Sequence, residues 1–71
     1  MKIIANDYDT KMVMKIIREW TEKTQEAFGK DISLARVTIQ GYERGTRQYT
    51  FETLMEIAKL HGITITIEKK D

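Results

Sequence analysis

Two side chains near the middle of this chain have the donor pattern needed to read base pairs. The planar fork of Arg36 can give two parallel N–H bonds to the O6 and N7 edge of guanine. The amide of Gln40 both donates and accepts, which suits the N6 and N7 edge of adenine. Between them Val37 and Thr38 suit a thymine methyl group or a phosphate. The plainer alternatives are a solvated or phosphate-bound arginine and a solvated glutamine. Nothing else in the chain offers comparable chemistry. There is no Ser/His/Asp set, no phosphate-cradling glycine loop and no obvious pairing of carboxylates, so an enzyme is not expected.

Composition narrows the field further. Seventy-one residues make a single domain. A chain so short buries a modest share of its surface, and pairing with a second copy would widen a thin stability margin. With no cysteine there is neither a disulfide nor a thiolate metal site, and His61 alone cannot hold zinc. No cofactor or metal is expected. No apolar run approaches the ~20 residues that span a bilayer, and the apolar part of Met1–Asp7 is too short for a signal peptide. The expectation is a soluble, cytoplasmic protein with no membrane partner. Net charge is only +1, which argues against polybasic binding. The excess positive charge lies centrally, where Lys23, Lys30, Arg36, Arg44 and Arg47 outnumber Glu26, Asp31 and Glu43. Local phosphate contact requires that placement.

Four helices are needed to position those side chains. Met12, Val13, Ile16, Ile17 and Trp20 recur at helical spacing, giving a first helix from about Thr10 to Glu22, capped by Asp9 or Thr10 and anchored in the core by Trp20. Thr24 caps a short second helix, about Gln25–Asp31, whose inward residues are Phe28, Gly29 and Ile32. Gly29 costs helix propensity, and close approach of another helix would explain it. Ser33 makes a corner that Leu34 plugs from the core side. A third helix follows, from Leu34 or Ala35 to Arg44, burying Ile39 and Tyr42, exposing Val37 and ending at Gly45. Thr50 caps a fourth, about Phe51–His61, with Phe51, Leu54, Met55, Ile57 and Ala58 inward and Gly62 as its stop. His61, near that helix end, serves the helix dipole. The alternation Ile63-Thr64-Ile65-Thr66-Ile67 predicts a strand, paired with Ile3 and Ile4 of its own chain or of a second copy. The predicted fold is mainly α: a four-helix core of about Thr10–Gly62 with a short C-terminal β-strand.

A helix lying in the major groove needs a second helix crossing it steeply to hold it there. That crossing needs a small residue at the contact, a tight corner and apolar plugs, which Gly29, Ser33, Leu34, Ile39 and Tyr42 supply in order. Gln25 opens the second helix, where its side chain and free backbone N–H groups can meet a phosphate. The run Arg18…Thr24-Gln25…Phe28-Gly29…Ile32…Leu34…Ile39…Tyr42-Glu43-Arg44-Gly45 resembles the lambda-repressor-like (Cro/CI-type, xenobiotic-response-element) helix-turn-helix family, over about Met12 to Gly62. Its Thr-Gln opening, small residue and Glu-Arg-Gly close are specific only together.

The resemblance implies double-stranded DNA as partner and a helix-turn-helix at about Gln25–Arg44. By the same likeness Thr24 and Gln25 lie at a phosphate, and Ala35, Arg36, Val37, Thr38, Gln40 and Gly41 face the bases. Arg44, Thr46 and Arg47 contact the backbone, while Arg18 and Glu43 form a buried structural ion pair. Gly41 would let the helix backbone pass close to DNA, or it has no special reason. Three departures stand out. Ser33 occupies the family's usual corner glycine, and Glu22-Lys23 replace a glycine and an apolar residue, with Trp20 filling the gap. The predicted strand replaces a fifth helix, so the family's dimer contact is not carried over. The expected function is a transcriptional repressor acting as a homodimer on a palindromic operator. Alternatives are an antitoxin that also binds a protein partner, or an interaction module that has lost DNA binding.

Overall fold

The computed structural model describes all residues from Met1 to Asp71. Its elements are a single 3-10 turn at Ala5–Asp7 and four helices, α1 (Thr10–Thr21), α2 (Gln25–Asp31), α3 (Arg36–Arg44) and α4 (Phe51–Leu60). The predicted helices are all present, each end within about two residues of its expected place, the usual uncertainty of helix ends. The core draws on every helix: Val13, Met14 and Ile17 from α1, Phe28 from α2, Ile39 from α3 and Ile57 from α4. Ile32, Leu34, Tyr42, Tyr49, Leu54 and Ile63 close around it.

Local chemistry explains where the helices begin. The Thr24 hydroxyl accepts from the Ala27 N–H at 3.1 Å, and the Thr50 hydroxyl accepts from the Thr53 N–H at 3.0 Å. Each satisfies one of the four orphan donors of a helix start. Asp9 and Ala35 precede α1 and α3 in extended conformation but offer no side-chain cap bond.

The corner between α2 and α3 is a Schellman motif. The Leu34 N–H reaches back to the Gly29 carbonyl (2.8 Å) and the Ser33 N–H to that of Lys30 (3.3 Å). Ser33 itself sits at φ 58°, in the left-handed region. Glu22, which follows α1, also has φ 58°. Both are positions where the family resemblance places glycine, so the side chains depart from the pattern while the backbone keeps it. A non-glycine residue there costs about 1–2 kcal/mol, of which glycine's extra unfolded-state entropy returns about 0.4–1 kcal/mol. Ser33→Gly should therefore stabilise the domain by about 0.5–1 kcal/mol, read as a rise in the urea midpoint. A lower midpoint would show that the corner is not strained.

Three expectations fail, each for a physical reason, and a fourth, for His61, is incomplete. The apolar arc of α1 is too broad to be buried whole. The other helices cover its Val13–Met14–Ile17 side, leaving Met14 fully buried, Met12 40% exposed and Trp20 half-buried outside the core cluster. Trp20 is thus no core anchor. Phe51, in the first turn of α4, is 58% exposed because α4 buries its other end, at Ile57 and Ala58. His61 does more than sit near a dipole. Its ring stacks on Phe28 (centroids 5.2 Å apart), and its nitrogens face the Ile57 carbonyl at 2.9 Å and the Asp31 carboxylate at 3.1 Å. Lys23 first, and His61 second, hold the Asp31 carboxyl below its ordinary range.

The last correction concerns the strand. No strand forms: Ile63–Ile67 has no partner in the chain, and Ile3 and Ile4 do not pair with it. The Ile63 N–H is used to finish α4, donating to the Ala58 carbonyl at 2.8 Å across Gly62 in the left-handed region (φ 68°). Ile63 packs on the core and Ile65 is still half-buried, so the segment leaves the domain only toward Ile67, which is 85% exposed. Strict alternation fits a pleated surface, but a strand needs a neighbour.

Candidate nucleic-acid interface

Glu43 fixes the orientation of α3. Arg18 donates to its carboxylate with two nitrogens, Nε to Oε2 at 2.6 Å and Nη2 to Oε1 at 3.0 Å. The Gln25 amide adds a third bond at 3.3 Å. Arg18 also donates through Nη1 to the Lys23 carbonyl at 2.9 Å. The Arg18–Glu43 pair thus ties α1, the α1–α2 turn, the start of α2 and α3 together. Only 6% of the Glu43 side chain and 18% of the Arg18 side chain remain exposed. The hydrogen bond it donates to Glu43 is the main reason the Arg18 guanidinium holds its proton more firmly than usual, and burial opposes it.

Held that way, α3 buries Ile39 and turns another face outward. Ala35, Arg36, Val37 and Arg44 are exposed, with Val37 at 54%, and Thr38 and Gln40 are half-buried. Arg36 has no side-chain hydrogen bond or ion pair in the chain, so its fork is free for a partner. Gly29 explains how close α2 and the corner lie: a Cβ there would stand 2.4 Å from the Leu34 carbonyl oxygen and 3.3 Å from Ile39 Cγ1.

A family model described as Helix-turn-helix matches residues 14–67, well over half of the chain. The chain belongs to the helix-turn-helix family, of the lambda-repressor-like type. No match is found among curated proteins or among solved structures. Membership makes it, in general terms, a DNA-binding regulator of transcription. None of its helices is long and apolar enough to cross a membrane.

The remaining candidate residues of this helix-turn-helix protein divide into free and engaged groups. Thr24 spends its hydroxyl oxygen on the α2 cap and Gln25 turns its amide to Glu43. What α2 offers outward is the backbone N–H of Gln25 and of Glu26, which find no acceptor in the chain. The Thr46 hydroxyl lies 3.4 Å from the Gly41 carbonyl, which also accepts from the N–H groups of Gly45, Thr46 and Arg47. Arg44 and Arg47 are exposed and paired with no carboxylate.

Gly41 has an intramolecular reason that the sequence did not disclose. It is buried, and a Cβ on it would meet Cγ, Cδ and Cβ of Arg47 at 2.9–3.2 Å. The missing side chain makes room for the Arg47 stem across α3. Tyr49 was also overlooked. Its hydroxyl donates to the Thr10 carbonyl and its ring meets Tyr42 edge-on at 5.4 Å, which pins the α3–α4 loop to the start of α1. A tyrosine closing a polar loop, ahead of a capping Thr50, was the only signal available.

Proposed function

We propose that this chain represses transcription as a homodimer on a palindromic operator, with Arg36 and Gln40 carrying direct readout. The observation behind this reading is the exposed, unpaired Arg36 in the first turn of a helix whose orientation Glu43 fixes. Major-groove readers of this kind use the front of the recognition helix, here α3, where side chains reach base edges. Ala35, Val37 and Thr38 surround Arg36 with small and apolar contact surface. The backbone N–H groups at the start of α2, with Arg44 and Arg47, supply phosphate contacts that set register without reading sequence.

Homodimerisation is favoured by size. One module buries only ~600–1,000 Å² against DNA, too little for tight operator binding alone. The tail after Ile63, with unpaired peptide groups and an exposed Ile67, is surface on which a second copy could close.

Selection of bound sites from a random duplex pool tests both parts. The expected product is an inverted repeat with half-site centres about one helical turn apart. Arg36→Ala should relax preference at one position in each half-site, at a cost of about 1–3 kcal/mol there. Uniform weakening on all sequences would make Arg36 a phosphate contact instead. Enrichment of single, unrepeated sites would refute the homodimer.

A further inference from the structure

Beyond the helix-turn-helix, α1 brings a cation to the C-terminal end of α3. Lys11, in the first turn of α1, lays its stem against Gly45, the residue that ends α3. A Cβ on Gly45 would stand 3.2 Å from Lys11 Cδ. Arg47 crosses α3 at Gly41, and Arg44 lies next to Gly45 in the last turn. The three side chains line one open cleft of about 570 Å³, with Tyr8 and Gln48 on its walls. Asp9 is the only acid lining it, yet none of the three cations forms an ion pair with it or with any other carboxylate.

The cleft is also held in shape. Tyr49, bonded to the Thr10 carbonyl and packed on Tyr42, fixes the α3–α4 loop against the start of α1. Three unpaired cations from separate elements, kept together by structure that does not need their charge, suit a compact anion with several acceptor oxygens. A DNA phosphodiester beside the outer face of α3 has that chemistry, since phosphate is a hydrogen-bond acceptor that both ammonium and guanidinium groups satisfy.

We propose that this cleft seats a backbone phosphate of the bound duplex, and that Lys11 extends the DNA interface onto α1. The proposal rests on the DNA-binding reading above and adds a contact outside the helix-turn-helix and its following loop. Because a phosphate contact carries no base information, losing it should lower affinity for every sequence alike.

The test measures duplex affinity across a salt series for the full chain and for Lys11→Gln and Lys59→Gln. Lys59 is an exposed lysine of α4 that does not line the cleft. Thermal melts confirm that each variant is folded, which is expected because Lys11 is exposed and glutamine keeps much of its stem. For Lys11→Gln the slope of log affinity against log salt should flatten by about 0.9. The advantage of the unsubstituted chain should correspondingly shrink about 3.5-fold between 50 and 200 mM salt. The order of preference among sequences should stay unchanged. Lys59→Gln should leave the slope as it was. If Lys11→Gln leaves the slope unchanged, or Lys59→Gln flattens it equally, the cleft holds no phosphate. If the unsubstituted chain shows no salt-dependent duplex binding, the DNA reading fails and takes this site with it.

Discussion

Arg18→Ala should cost about 3–5 kcal/mol of folding stability, because it leaves the Glu43 carboxylate buried with only the Gln25 amide for company. The chain as it stands has no buried side-chain polar atom without a partner. The substitution removes both charge-assisted bonds to Glu43, the bond to the Lys23 carbonyl and the alkyl stem. A domain of this length has roughly 4–11 kcal/mol in total, so the variant should be largely unfolded or close to it. Urea denaturation followed by circular dichroism reads the loss directly. The cause is an abandoned charge and not a missing attraction, which a second variant separates. Arg18→Met with Glu43→Leu removes both ions and should recover most of the loss, since apolar replacement of a buried pair is often neutral or stabilising. If the double variant is as unstable as Arg18→Ala, the pair contributes by attraction and the argument from desolvation is wrong.

Gly29→Ala should be the second most damaging change, at a net cost of about 2 kcal/mol. Alanine normally gains helix propensity over glycine, by about 1 kcal/mol. Here the added methyl carbon would lie 2.4 Å from the Leu34 carbonyl oxygen, which belongs to the backbone and cannot rotate away as a side chain would. Relief requires the α2–α3 corner to open, which stretches the Leu34 N–H bond to the Gly29 carbonyl and lifts Ile39 of α3 away from α2. Overpacking of this kind costs about 1–3 kcal/mol, and a backbone neighbour places it at the upper end. The chemical denaturation midpoint gives the sign at once. An unchanged or raised midpoint would mean that the corner adapts and that glycine is not required for the crossing.

The positions that make helices and bring them together were legible because each local cue agreed with its neighbours. Thr24 and Thr50 cap, Gly45 ends α3, Phe28 and Ile39 fill the centre, and the Arg18–Glu43 pair is where the resemblance implied. Legibility was lost where one pattern admits two burials. On α1 the apolar residues cover too wide an arc, and only the packed bundle decides that Met14 goes in and Met12 stays out. At Ile63–Ile67 the β pattern was clear, but pairing depends on a partner that the chain does not contain. The interface was harder still. Spacing placed Arg36 and Val37 on the outer face, whereas the seating of Arg47 on Gly41 and of Lys11 on Gly45 joins residues whose contact no periodicity encodes. Ser33 is the instructive case: its side chain broke the pattern, and its backbone kept it.

The most direct test of the central claim, that the outer face of α3 meets the DNA, is a titration of ¹⁵N-labelled protein with the selected duplex, followed by amide chemical shifts. The largest changes should fall at Gln25 and Glu26, along Ala35–Gln40 and through the Thr46–Gln48 loop, with small changes at Lys59 and Glu56. Changes concentrated on α4 or on the tail after Gly62, with Ala35–Gln40 unmoved, would contradict it.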